Sequence, residues 1–254
     1  MHAPDAQTAI DPDIDIETET DMTTTLNLLC AGAAQGLVTA LQARFKAETG
    51  ADIQARFGAV GAIKEALLAG EACDVLVLTQ ALIDGLVAEG RLQPGSPALL
   101  GLVRTGVAVR QDTPWPEVST AAGLKAALLA STGVYFPDAV RSTAGIHFAK
   151  VLRGLGVYEA LEARFRTYPN GATAMREMAA SNEAHPIGCT QVTEIRYTPG
   201  VELVGLLPPE YELAMPYTAA ITTTSAQSAL ARSFIDLMTS PDALPLRSAG
   251  GFDH

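Results

Sequence analysis

Cysteine is scarce in this chain. Only Cys30, Cys73 and Cys189 occur, far apart and with no CxxC pair. That spacing argues against a disulfide framework and against a cysteine-ligated zinc site. A free buried cysteine packs as a small hydrophobe, the expectation for Cys30 and Cys73. Histidine is as thin: His2 and His254 lie at the two ends, leaving His147 and His185, too few for a histidine-based metal cluster. No metal and no cofactor are expected. No apolar run reaches the roughly 18 residues that a membrane helix needs. No GK[ST] triplet occurs, so a P-loop is excluded. Positive charge is short too, with 17 Lys and Arg against 28 Asp and Glu, a net −11. Without a basic stripe the chain has no electrostatic footprint for nucleic acid.

The negative charge is concentrated at the start. Residues 1–21 hold Asp5, Asp11, Asp13, Asp15, Glu17, Glu19 and Asp21 and no Lys or Arg, which leaves −4 for the rest. The stretch has neither the basic n-region nor the apolar h-region of a secretory signal, so as written the chain is expected to be cytoplasmic. Met22 opens a Thr-rich stretch leading into the first strand. Residues 1–21 therefore read as a disordered extension or an overlong gene start.

From Leu26 the pattern is strand, small-residue turn, helix. Leu26–Cys30 is an apolar strand, and Ala31-Gly32-Ala33-Ala34-Gln35-Gly36 turns into a helix through Leu37, Leu41 and Phe45 that Gly50 ends. Ile53–Phe57 repeats the strand, Gly58-Ala59-Val60-Gly61 the turn, and Ile63, Leu67 and Leu68 the helix. Asp74–Leu78 is the apolar run of a buried parallel strand. Such alternation predicts an α/β fold with a mostly parallel sheet. AGAAQG is too loose for a dinucleotide fingerprint. Its small residues either let backbone approach a ligand or simply pack helix on sheet.

The central stretch is Val134–Gly156. Val134-Tyr135-Phe136 reads as a strand, and Ile146, Ala149, Val151, Leu152 and Leu155 as one helix face. Between them Arg141-Ser142-Thr143-Ala144-Gly145 sets hydroxyls, an arginine and free amides at a helix start. That is either a seat for a small anion or an ordinary N-cap by Ser142 or Thr143. Further on, Ile187–Gln191 reads as a strand, Thr167–Gly171 as a turn, and Ala219–Thr223 as a strand returning to the first unit. Two α/β units joined by two crossings imply a cleft between lobes.

In this order, AGAAQGLVTALQARFKAETG, FGAVGAIKEALLAGEACDVLVL, PDAVRSTAGIHFAKVLRGLG, HPIGCTQV, MPYTAAI and the closing GF resemble the molybdate-binding proteins of ABC importers, a type II periplasmic solute-binding family. The resemblance runs from about Leu26 to Phe252. It implies two Rossmann-like lobes, each a mixed, mostly parallel sheet flanked by helices, with the anion held between them by hydrogen bonds. The division it suggests is an acidic tail 1–24, lobe 1 over 25–106 and 218–254, and lobe 2 over 107–217. The family is usually periplasmic, and its partner is an ABC importer permease.

Carried over by position, the family's two binding serines fall at Ala33 and within Ala59-Val60-Gly61, so both hydroxyls are gone. Its helix-start alanine falls at Ala144, its valine at Thr190, and its tyrosine at Tyr217. Each lost hydroxyl in a closed site costs about 1 kcal/mol. Arg141, Ser142, Thr143 and Thr190 add donors, among them a guanidinium fork suited to carboxylate. An organic carboxylate is thus favoured over molybdate or tungstate. The expected ligand contacts are Ala33, Gln35, Val60 and Gly61 on one lobe and Arg141, Ser142, Thr143, Ala144, Thr190 and Tyr217 on the other.

Aconitate isomerase is similar to the same family, and it sets a second expectation: an enzyme that moves a proton between cis- and trans-aconitate. That reaction needs a base poised near neutral pH. His147, in the first turn of the helix, serves as that base or packs the helix face. Glu194 and Tyr217 are the remaining candidates.

Overall fold

A computed structural model describes residues 24–253. The expected acidic tail, apart from Thr24, lies outside the described residues. In chain order the first half alternates β1 (Thr25–Ala31), α1 (Gln35–Thr49), β2 (Asp52–Gly58), α2 (Val60–Leu68), β3 (Val75–Thr79) and α3 (Gln80–Ala88). The long β4 (Ala98–Arg110) leads to α4 (Ala121–Ala130), β5 (Gly133–Pro137), α5 (Thr143–Gly154), α6 (Tyr158–Leu161) and β6 (Phe165–Tyr168). Then come α7 (Gly171–Ala180), β7 (Pro186–Gln191), α8 (Val192–Tyr197) and β8 (Val201–Leu206). β9 (Ala214–Ile221) returns to the first half, which α9 (Ser228–Thr239), α10 (Leu244–Gly250) and β10 (Phe252–Asp253) complete.

The apolar pattern explains the layers. Every residue of β3 is buried, as a parallel strand covered on both faces requires. α1 buries Leu37, Val38, Leu41 and Phe45, one face at helical spacing, and ends at Gly50 in the left-handed region (φ +73°). In α5 the buried stripe is Phe148, Ala149, Val151 and Leu152, and Ser142 is its N-cap.

The strands run β2-β1-β3-β9-β4-β7-β5-β6, with β8 and β10 also on β4. β1 lies parallel to β2 and β3, and β5 parallel to β6 and β7. All pairings of β4 and β9 are antiparallel. The result is a mixed sheet whose antiparallel part is its crossing strands. β4 joins the halves: Ala98–Arg104 pairs with β9, and Thr105–Val109 pairs with β7. The core divides likewise. One apolar cluster spans Leu26 to Val103 and Tyr217 to Phe252; two smaller ones lie among residues 107–207.

Two elements differ from the sequence pattern. β9 begins at Ala214 rather than Ala219 and so contains Pro216. Pro216 sits where β9 pairs with β4 alone, because pairing with β3 starts at Tyr217. A residue with no N–H is tolerated on such a one-sided stretch. β6, only four residues long, occupies part of the expected turn at 167–171.

Candidate active site or anion cleft

β1, β2 and β7 end toward one small cleft between the halves of the molecule. Its lining comprises Ala31, Gly32, Ala33, Gly58, Ala59 and Val60 on one side. Facing them are Ser142, Thr143, Asn170, Gln191, Glu194 and Tyr217, around a space of about 250 Å³ that includes the open mouth. The carboxyl ends of strands are where α/β sheets place ligands, because each strand there turns into a helix start. Here the starts of α1, α2, α5 and α7 converge.

The two sides differ in how those helix starts are capped. α5 and α7 have side-chain caps: Ser142 Oγ accepts from the Gly145 N–H at 3.5 Å, and Asn170 Oδ1 from the Thr173 N–H at 2.8 Å. At α1 and α2 the capping residues are Ala34 and Ala59, with no side-chain cap. The Gln35 N–H is taken by the Gly32 carbonyl and the Gly61 N–H by the Arg141 carbonyl; the remaining first-turn amides have no side-chain acceptor, as uncapped helix geometry dictates. No Lys, Arg or His lines the cleft. The positive potential available to a ligand therefore comes from amides and helix dipoles.

Two side chains dominate the chemistry. Tyr217 is fully buried, and its phenol oxygen accepts a hydrogen bond from Gln191 Nε2. Burial pushes its pKa well above the usual phenol value, so the O–H stays available as a donor. Glu194 is 5% exposed, and its Oε2 accepts from Thr190 Oγ1 at 2.5 Å. Burial pushes its carboxyl above the usual carboxylate range, while the Thr190 hydroxyl and the amides of Ala172, Gly171 and Gln191 pull it partly back. Glycine makes room on both flanks. A β-carbon at Gly32 would stand 2.5 Å from Glu194 Oε1, and one at Gly171 would collide with Oε2 and Thr190 Oγ1.

Of the residues expected from the sequence, the structure brings Ala33, Val60, Ser142, Thr143 and Tyr217 to the cleft. The others stand elsewhere, for visible reasons. Arg141 leaves its turn outward, 57% exposed, and pairs with Glu65 at 3.0 Å. Gly61 meets the backbone of the same turn, its N–H 3.4 Å from the Arg141 carbonyl. Ala144 is buried within the first turn of α5, and Gln35 opens α1 beside the cleft. Thr190 is fully buried behind the wall and donates its hydroxyl proton to Glu194. The His147 ring turns away, its Nε2 2.7 Å from the Tyr211 carbonyl. A carbonyl only accepts, so that nitrogen is occupied as a donor outside the cleft.

Sequence reasoning passed over Gly32, Gly58, Asn170 and Gln191 and left Glu194 as a secondary candidate. The signal was present in repeated form: a strand, then one or two small or amide residues, then a helix. The same pattern is present at Asn170-Gly171 and Gln191-Val192. Among the described residues no group of three His, Cys, Asp or Glu side chains could hold a metal ion. No helix there is long and apolar enough to cross a membrane.

The proteins similar to this chain include an isomerase and binding proteins for different solutes. An aconitate isomerase of a Pseudomonas species is 27% identical over 226 residues, 87% of this chain and 84% of that one. The periplasmic molybdate-binding protein of Azotobacter vinelandii superposes with a TM-score of 0.74 at 20% identity, over 90% of this chain and 99% of the other. A sulfate-binding protein of Mycobacterium tuberculosis does so at 0.67 and 16%, over 90% and 86%. The model of the bacterial extracellular solute-binding protein family matches residues 26–253. With the mixed sheet, the crossing strands and the interlobe cleft in place, the chain belongs to that family of solute-binding proteins.

Proposed function

We propose that the cleft captures one small organic carboxylate anion, with the two halves acting as lobes that close on it. The observation that carries this reading is the convergence of four helix starts, two without side-chain caps, on a cleft with no cation. Carboxylate oxygens find amide donors there on one side, and the Tyr217, Ser142 and Thr143 hydroxyls on the other. Ala33 and the Ala59-Val60-Gly61 turn offer no hydroxyl to complete the shell of a tetrahedral metal oxyanion, which weighs against molybdate and tungstate. The similarity to an aconitate isomerase supports a carboxylate as well. As a binder, the protein delivers its anion to the permease of an ABC importer.

A second reading rests on Glu194. A carboxyl group at the cleft wall, shifted toward neutral pH by burial, has the chemistry for moving a proton between carbons of a bound aconitate. In that reading the protein is an isomerase and Glu194, not His147, carries the proton.

A thermal-shift panel of molybdate, tungstate, sulfate, citrate, cis-aconitate and trans-aconitate tests both. A ligand at about 100 times its Kd adds roughly 2.7 kcal/mol of stability, on the order of 5–10 °C in Tm at this chain length. The expected outcome is a rise with the tricarboxylates and none with molybdate or tungstate. The reverse pattern overturns the carboxylate reading. Ultraviolet absorbance of cis-aconitate incubated with the protein then separates the binder, which leaves it unchanged, from the isomerase.

A further inference from the structure

We infer that anion capture in this cleft is proton-coupled: Glu194 takes one proton from solvent when the anion enters and returns it on release. The inference rests on the reading of the cleft as an anion site. An incoming polyanion meets no Lys, Arg or His in the lining and one carboxyl group, Glu194. Two negative groups in contact at a buried carboxyl repel strongly, since the low local dielectric leaves little screening. Protonating Glu194 removes the repulsion and turns an acceptor into an O–H donor for a ligand oxygen.

The geometry leaves Oε1 for that role. Oε2 is taken by the Thr190 hydroxyl at 2.5 Å. Oε1 stands on the side of Gly32, itself part of the cleft lining, and no side chain intervenes because residue 32 has none. Burial raising the Glu194 pKa points the same way.

The groups packed around Glu194 do not supply the missing charge. From β9 comes Tyr217, a phenol held neutral by burial, and from β1 comes Cys30, a buried thiol. Arg196, on its own helix α8, donates to the Ser248 and Ala249 carbonyls. Arg247 of α10 is bound to the Met238 and Ser240 carbonyls. On α7, Arg176 bonds to Thr173 and Glu177 is exposed. His147 on α5 and Arg141 just before it are committed to Tyr211 and Glu65.

The test is calorimetric titration with trans-aconitate at pH 7.5 in two buffers of different ionisation enthalpy, repeated from pH 5.5 to 8.5. Wild type is expected to take up about one proton per anion, with affinity falling by up to about tenfold per pH unit on the alkaline side. Glu194→Gln keeps an acceptor for Thr190 and an N–H donor for the ligand. It is expected to bind with no proton uptake and a flat pH profile. Tyr217→Phe should bind more weakly yet retain the uptake, which assigns the proton to Glu194. Binding by wild type with no buffer dependence overturns the proton coupling and leaves the anion site standing. Uptake that survives in Glu194→Gln overturns it too. No binding of trans-aconitate, citrate or molybdate at any pH overturns the anion site and the coupling together.

Discussion

At Glu194 the physics of burial meets that of hydrogen bonding. A carboxylate deprived of water is costly unless donors replace the lost hydration. Thr190 and three amides do so incompletely, and the pKa stays raised. The folded state therefore holds this proton more tightly than the unfolded chain does. That contribution to stability is fully present below the ordinary carboxylate pKa and is lost as pH rises through the raised value. Glu194→Gln removes the titration. The Tm of the variant is expected to gain on wild type as pH rises from 4 to 8, by about 2–4 °C for each kcal/mol recovered. Differential scanning calorimetry across that range checks it, and a difference independent of pH would mean that Glu194 titrates normally. Gly171 shows the same crowding in steric form. A β-carbon there collides with both Thr190 Oγ1 and Glu194 Oε2. Gly171→Ala is thus expected to cost about 1–3 kcal/mol, measured by urea unfolding.

Elements decide which donors the cleft can offer. Asn170 caps α7 with a 2.8 Å bond, whereas the Ser142 cap on α5 is stretched to 3.5 Å. Losing a good cap costs about 1 kcal/mol. Asn170→Ala should therefore destabilise more than Ser142→Ala in urea melts, while Ser142→Ala, which removes a hydroxyl at the cleft, should weaken anion binding with little loss of stability. The strand–turn–helix units were legible in the sequence because apolar periodicity and small-residue turns mark them locally, as at Ala31–Gln35 and Gly58–Gly61. The start of β9 was not. Pro216 breaks a strand by local rules and is accommodated only because one neighbour of β9 is missing there. β6 was hidden in the same way: Phe165–Tyr168 is too short to show a period, and it is a strand because β5 lies beside it.

On the scale of the whole molecule, the limit of the sequence lies in direction. Arg141 and His147 sit within six residues of each other at the right helix start, and composition makes both attractive site residues. Neither side chain enters the cleft, because a partner in another part of the chain takes it: Glu65 for Arg141, the Tyr211 carbonyl for His147. The Arg141 contact has a consequence of its own. Glu65 lies on α2 in the first half and Arg141 just before α5 in the second, so the ion pair joins the two halves beside the cleft, next to the Gly61–Arg141 backbone bond. Both side chains are more than half exposed, and such a pair contributes at most about 1 kcal/mol. Its effect therefore falls on opening of the two halves rather than on folding. Arg141→Ala and Glu65→Ala are each expected to leave the urea midpoint nearly unchanged. Each should speed dissociation of a bound carboxylate by at most about fivefold, the factor that ~1 kcal/mol conveys. The double variant should be no faster than either single one, since removing one partner already breaks the bridge. Stopped-flow displacement reads the rates. Additive single effects would mean that the two side chains act apart and that the halves are held there by backbone contacts alone.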